Sequence, residues 1–129
     1  MALIIDLKPS ERIIIGTALV TNDAARSSRL HIEGDAPILR EKDIMRETEA
    51  DSPCKKVYFM IQMMYLAHDP QPLHDAYFGL VRDIQHAAPS TALHFARIND
   101  FLLGSEYYKA LKEARHLVDY ERELIANAS

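Results

Sequence analysis

The sequence predicts an α+β protein: a small antiparallel β unit over residues 1–45, followed by a bundle of about four helices over residues 46–129. Three observations carry this reading. Up to about Met45 apolar residues alternate in short runs between turn residues, the period of half-buried strands. From Ser52 onward they recur at helical spacing in longer stretches. Pro53, Pro70, Pro72, Pro89 and Gly104 fall where such helices would start or stop.

In chain order, Ala2 to Leu7 reads as a first strand and Lys8-Pro9-Ser10-Glu11 as a turn, with Pro9 where φ is preset. Arg12 to Ile15 is short and β-branched, Gly16 relaxes the backbone, and Thr17 to Thr21 continues as a strand. Residues 22–27 are an exposed loop by composition. Ser28 to Glu33 alternates, with Leu30 and Ile32 on one side and Arg29, His31 and Glu33 on the other. After a Gly34-Asp35-Ala36-Pro37 turn, Ile38 to Arg40 is a short strand or edge, and residues 44–51 are the joint.

Ser52 followed by Pro53 is an N-cap with proline at the first helical position. The helix to about His68 is apolar around most of its circumference and should be central. A second helix is expected from Leu73 to Ala88. A third is expected after Ser90 or Thr91, ending near Gly104, and a fourth runs from a Ser105 cap to about Ala126. In the fourth, Leu111, Ala114, Val118 and Ile125 form the apolar stripe, and Glu121 stands where that stripe would want an apolar group.

Bulk properties exclude several classes. A chain of 129 residues is one domain, or two very small units, and its net charge of −4 argues against strong nonspecific nucleic-acid binding. The single cysteine, Cys54, reads as a reduced thiol near a helix start. The apolar run from Val57 to Ala67 is too short to span a bilayer, and the N-terminus has no basic signal region, so the expected location is the cytoplasm with no membrane contact.

Catalytic chemistry has no residues to stand on. The four glycines are scattered, and no two of the six histidines stand at the i,i+3 or i,i+4 spacing of a helical metal pair. The expectation is no enzyme, no metal and no cofactor. The features that can bind are cations of the strand half: Arg12, Arg26, Arg29, Arg40 and Lys42, with His31 beside Arg29 by period two. Arg40 and Lys42 share a face if the chain stays extended there. The guanidinium fork suits phosphate and base edges, and an imidazole can stack on an unpaired base. Glu33, Asp35, Glu41 and Asp43 are interleaved and partly cancel the patch.

Three blocks of the chain resemble the FlbT family, the bacterial flagellum biosynthesis repressors: Leu7 to Gly16, Ile32 to Ile44 and Val57 to Leu66. That family often carries glycine where this chain has Ser10. The resemblance implies post-transcriptional control of flagellin synthesis at the 5′ untranslated region of flagellin mRNA, lowering translation and stability. In some relatives the sign is reversed. It also implies FlaF, a second flagellar regulator, as counterpart. The strand half is similar, over a shorter stretch, to the carbon storage regulator family, whose RNA-contacting arginine matches Arg40. The expected RNA-binding residues are therefore Arg40, Lys42, Arg12, Arg29 and His31, the expected ligand is the flagellin mRNA leader, and the chain is expected to form a homo-oligomer. The competing reading is a protein-binding module whose helices hold flagellin or FlaF and whose effect on mRNA is indirect.

Overall fold

In the computed structural model, which describes residues 2–128, the first strand β1 (Ala2–Leu7) pairs antiparallel with β4 (Ser28–Glu33), placing Asp6 opposite Arg29. A second sheet has the order β3-β2-β5, with β2 (Arg12–Ile15) between β3 (Ala18–Thr21) and β5 (Ile38–Arg40). Both its pairings are antiparallel. The chain thus has the predicted α+β make-up, although its strands form two small sheets rather than one. Residues 1–44 and 45–129 are separate compact units.

Strand alternation is clearest in β4, where each second residue is exposed, including Arg29, His31 and Glu33. The core of this unit is Ile5, Leu7 and Ile13, with Ile15, Val20, Leu30, Ile32 and Ile38 packed around it. Gly16 opens the two-residue turn between β2 and β3 at φ +64°, the left-handed start that a tight hairpin of this kind requires.

The 8–11 turn has proline at its second position and Ser10 at φ +64°, closed by Glu11 N–H donating to Lys8 O at 3.0 Å. That is a type II turn, whose third position favours glycine. Residues 23–27 are exposed, as composition suggests, but the first residue of the loop is not. Asn22 is buried, because its side chain serves as the internal bracket of this loop.

In the second unit, α1 (Pro53–Leu66) starts as its sequence predicts: Ser52 is the N-cap, accepting from Lys55 N–H at 3.2 Å, with Pro53 at the first position. Its buried residues include Val57, Tyr58, Ile61 and Met64. The one polar break in that face, Gln62, is paired in both directions with the Met45 backbone, at 2.7 and 2.9 Å. The helix α2 (Gln71–Ala87) begins two residues earlier than expected, with Asp69 accepting from Gln71 N–H. Thr91 stands at the N-cap of α3 (Ala92–Leu103), but its hydroxyl donates back to Ala88 O at 2.7 Å instead of capping.

The helix α1 packs on α2 and on α4 (Tyr107–Ala128), and α3 packs on α4. Ser105 does not cap α4. It sits at φ +58° and closes α3: Glu106 N–H donates to Phe101 O and Ser105 N–H to Leu102 O, the paired bonds of a left-handed helix stop. Gly104, the residue expected there, has φ −87°. Two serines thus hold backbone geometry that costs an L-residue about 1 kcal/mol more than glycine. Ser10→Gly and Ser105→Gly are each expected to raise stability by up to about 1 kcal/mol, read as a higher urea midpoint of the full chain.

Candidate RNA-binding surface of the strand unit

The five candidate residues do not form one cationic face. Arg40 lies opposite Ile13 in the β2–β5 register, so the two share a face, while Arg12, next to Ile13 in β2, projects from the other. Arg29 and His31 share the exposed face of β4 in the other sheet, as period two requires. The expected shared face of Arg40 and Lys42 is absent, because residues Glu41–Asp43 form a short 3₁₀ turn and the extended backbone stops at Arg40. Lys42 is exposed in that turn.

Arg12, Arg29, Arg40 and His31 each stand against a carboxylate of their own unit. Arg12 Nε meets Glu41 at 3.0 Å, Arg29 Nε meets Asp6 at 3.2 Å, Arg40 meets Glu11 at 3.5 Å, and His31 Nε2 lies 3.5 Å from Glu33. Arg40 also donates to the Asp6 carbonyl at 2.9 Å. Asp6 is therefore the meeting point of Arg29 and Arg40, one on its side chain and the other on its backbone. The Lys8 backbone N–H, donating at 2.8 Å, and then Arg40 hold the Glu11 carboxyl below its ordinary range, so Arg40 faces a carboxylate at neutral pH. Glu33 and Glu41 are among the acids whose interleaving the sequence shows. Asp6 and Glu11 are brought in by strand pairing and by the 8–11 turn.

The pairs differ in exposure: the Arg29 side chain is 74% exposed, Arg12 38% and Arg40 37%, and the Glu11 carboxylate that faces Arg40 only 16%. Exposed ion pairs contribute about 0–1 kcal/mol each, so a phosphate oxygen can take the place of a carboxylate at small cost. The carboxylate it displaces then remains nearby and repels the phosphate. The surface suits selective contact with a few phosphates and bases rather than dense binding to any polyanion.

Among the described residues, no group of three His, Cys, Asp or Glu side chains could hold a metal ion, and no helix is long and apolar enough to cross a membrane.

A family model, flagellar protein FlbT, matches residues 3–125. The chain belongs to the FlbT family. It is 48% identical over 125 residues to the probable flagellum biosynthesis repressor protein FlbT 1 of Bradyrhizobium diazoefficiens, covering 96% of this chain and 85% of that one. A probable FlbT of Rhodopseudomonas palustris is 42% identical over 126 residues, covering 98% and 99% of the two chains. The flagellum biosynthesis repressor protein FlbT of Caulobacter vibrioides is 31% identical over 137 residues, covering 100% and 93%. No solved structure matches the chain. The FlbT match takes in residues of both units.

Proposed function

We propose that this protein represses flagellum biosynthesis without catalysis, acting on flagellin mRNA at its 5′ untranslated region in the cytoplasm. The observation that carries the reading is the FlbT match across residues 3–125, with relatives named as flagellum biosynthesis repressors. The strand unit supports a direct contact through guanidinium groups that reach the surface, with Arg40 the main polar donor, Arg12, Arg29 and Lys42 on phosphates, and His31 stacking.

A second reading has its own support. The helical unit exposes large apolar side chains at Leu93, Leu103 and Ile125, the kind of group a protein partner covers. On that reading flagellin, FlaF or a second copy of the chain binds the helices, and the effect on mRNA is indirect.

Titration of the full chain with flagellin leader RNA at rising salt separates the two. Three phosphate contacts on a single strand weaken binding by roughly the second power of salt concentration. Arg40→Ala is expected to cost about tenfold in RNA affinity. An unchanged affinity removes Arg40 from the site. No RNA binding at low salt, alongside tight binding of flagellin or FlaF, establishes the second reading.

A further inference from the structure

The guanidinium of Arg82 differs from those of the strand unit. Among the described residues it has no ion-pair or hydrogen-bond partner, whereas Arg97 faces Glu113, Arg122 faces Asp119 and Arg115 donates to the Tyr58 hydroxyl. It opens into a groove of about 520 Å³ between α2 and α3, lined by Phe78, Val81, Arg82, Gln85, His86 and Asn99.

The sequence of α2 builds one wall. Phe78, Arg82 and His86 are four residues apart, and Gln85 follows Arg82 by three, so all four share one helix face. Val81 is buried beneath them. The Phe78 ring is exposed and steadied edge-on by Tyr77, at 5.0 Å between centroids, and by His74, at 6.4 Å. From α3, Asn99 Oδ1 accepts the Tyr77 hydroxyl at 2.8 Å, which leaves its Nδ2 amide to donate into the groove. Neither Asp83 nor Asp100 lines the groove, so the Arg82 charge is not cancelled there.

We infer that this groove is a second RNA contact that takes one unstacked nucleotide of a single strand, its base on Phe78, its phosphate on Arg82 and its edge read by Gln85 and Asn99. The inference rests on the RNA-binding reading above and places part of that contact on the helical unit. An uncompensated guanidinium, a flat exposed ring and two side-chain amides are the elements by which proteins hold splayed bases. An acidic peptide would also match the guanidinium and could pair its backbone with the amides, but an oligoglutamate has no flat face to stack on Phe78. Sequence reading passes over the site because Phe78, Arg82 and His86 look like separate members of an ordinary amphipathic helix. The signal is their four-residue spacing, which puts an aromatic, a cation and an imidazole in line.

Two measurements on the full chain test this. The first is an amide and side-chain NMR titration with short oligouridylate and oligoadenylate. Shifts are expected at Phe78, Arg82, Gln85 and Asn99, and loss of those shifts is expected in Arg82→Glu, whose exposed site has no partner to disturb folding. The second is leader-RNA affinity. Phe78→Leu, which keeps apolar volume and removes the ring, should weaken binding about tenfold. Arg82→Ala should weaken it and lower the salt exponent by about 0.7. If leader RNA binds the wild type, yet neither variant changes affinity and the groove signals stay still, the groove assignment is overturned and the RNA reading stands. If the leader does not bind but oligonucleotides shift the groove, the leader reading fails and the groove assignment is supported. Groove shifts with an oligoglutamate peptide and none with either oligonucleotide overturn the assignment.

Discussion

Glu121→Ala is expected to destabilise the helical unit by about 2 kcal/mol and to make the Cys54 thiol more reactive. One carboxylate oxygen of Glu121 accepts from the Ser52 hydroxyl, and the other accepts from the Cys54 backbone N–H at 2.9 Å. Cys54 is the second residue of α1, so an anion carried by α4 sits on the positive end of the α1 dipole and satisfies a donor that the helix itself leaves open. Alanine removes both acceptors and the charge. The same carboxylate acts on the thiol. Burial first, then the Glu121 charge and its hydrogen bond, push the Cys54 thiol up to about 12.

Because the native thiol keeps its proton while an unfolded one loses it near pH 9, this site's contribution is present below pH 9 and fades as pH rises toward 12. Without Glu121 only burial remains, and each unit by which the thiol pKa falls gives about tenfold more thiolate. Alkylation by iodoacetamide at pH 8 should therefore accelerate in Glu121→Ala, while Glu121→Gln, which keeps one acceptor oxygen, should recover part of the stability. An unchanged urea midpoint together with an unchanged alkylation rate would show that α4 does not cap α1.

Glu121 also shows what the sequence could and could not convey. Local signals were legible: the Ser52-Pro53 start of α1, the alternation of Arg29, His31 and Glu33, and the order of strands before helices. Each depends on residues near one another in the chain. Glu121 reads as a flaw in an apolar stripe because its partners lie 67 and 69 positions away. Past it the stripe no longer serves the core: Leu117 and Val118 are buried, while Leu124 and Ile125 are exposed. The candidate site behaves in the same way. Its cations are visible in the sequence, but whether Arg40 is free depends on Glu11 and Asp6, which strand pairing and a turn bring to it. Ser105 is hidden for a different reason, since a left-handed serine carries no mark in the sequence that a left-handed glycine would, whereas at Ser10 the glycine that the FlbT family often carries is the hint.

Asn22→Asp is expected to cost the strand unit about 3 kcal/mol, and Asn22→Ala about 2 kcal/mol. The Asn22 amide donates to Leu7 O at 2.9 Å, Arg26 O at 3.0 Å and Lys8 O at 3.1 Å, while its oxygen accepts from Ala24 N–H at 3.0 Å. One buried side chain thus joins the end of β1, the 8–11 turn and the 22–27 loop that leads into β4. Alanine takes this donor away from Leu7 O and Arg26 O, while Lys8 O keeps the Glu11 N–H. Aspartate is worse despite its identical shape, because it turns an oxygen toward three carbonyl oxygens. Sheets of two and three short strands have little stability in reserve, so the effect should appear as local opening. Hydrogen exchange on the full chain is expected to speed at β1 and β4 amides in Asn22→Asp, with the amides of α1 and α4 unchanged. Asp6 and Arg29 would loosen with those strands, and flagellin-leader binding should weaken even though Asn22 is too buried to touch RNA. Wild-type exchange rates in Asn22→Asp would mean that the loop holds its shape without this bracket.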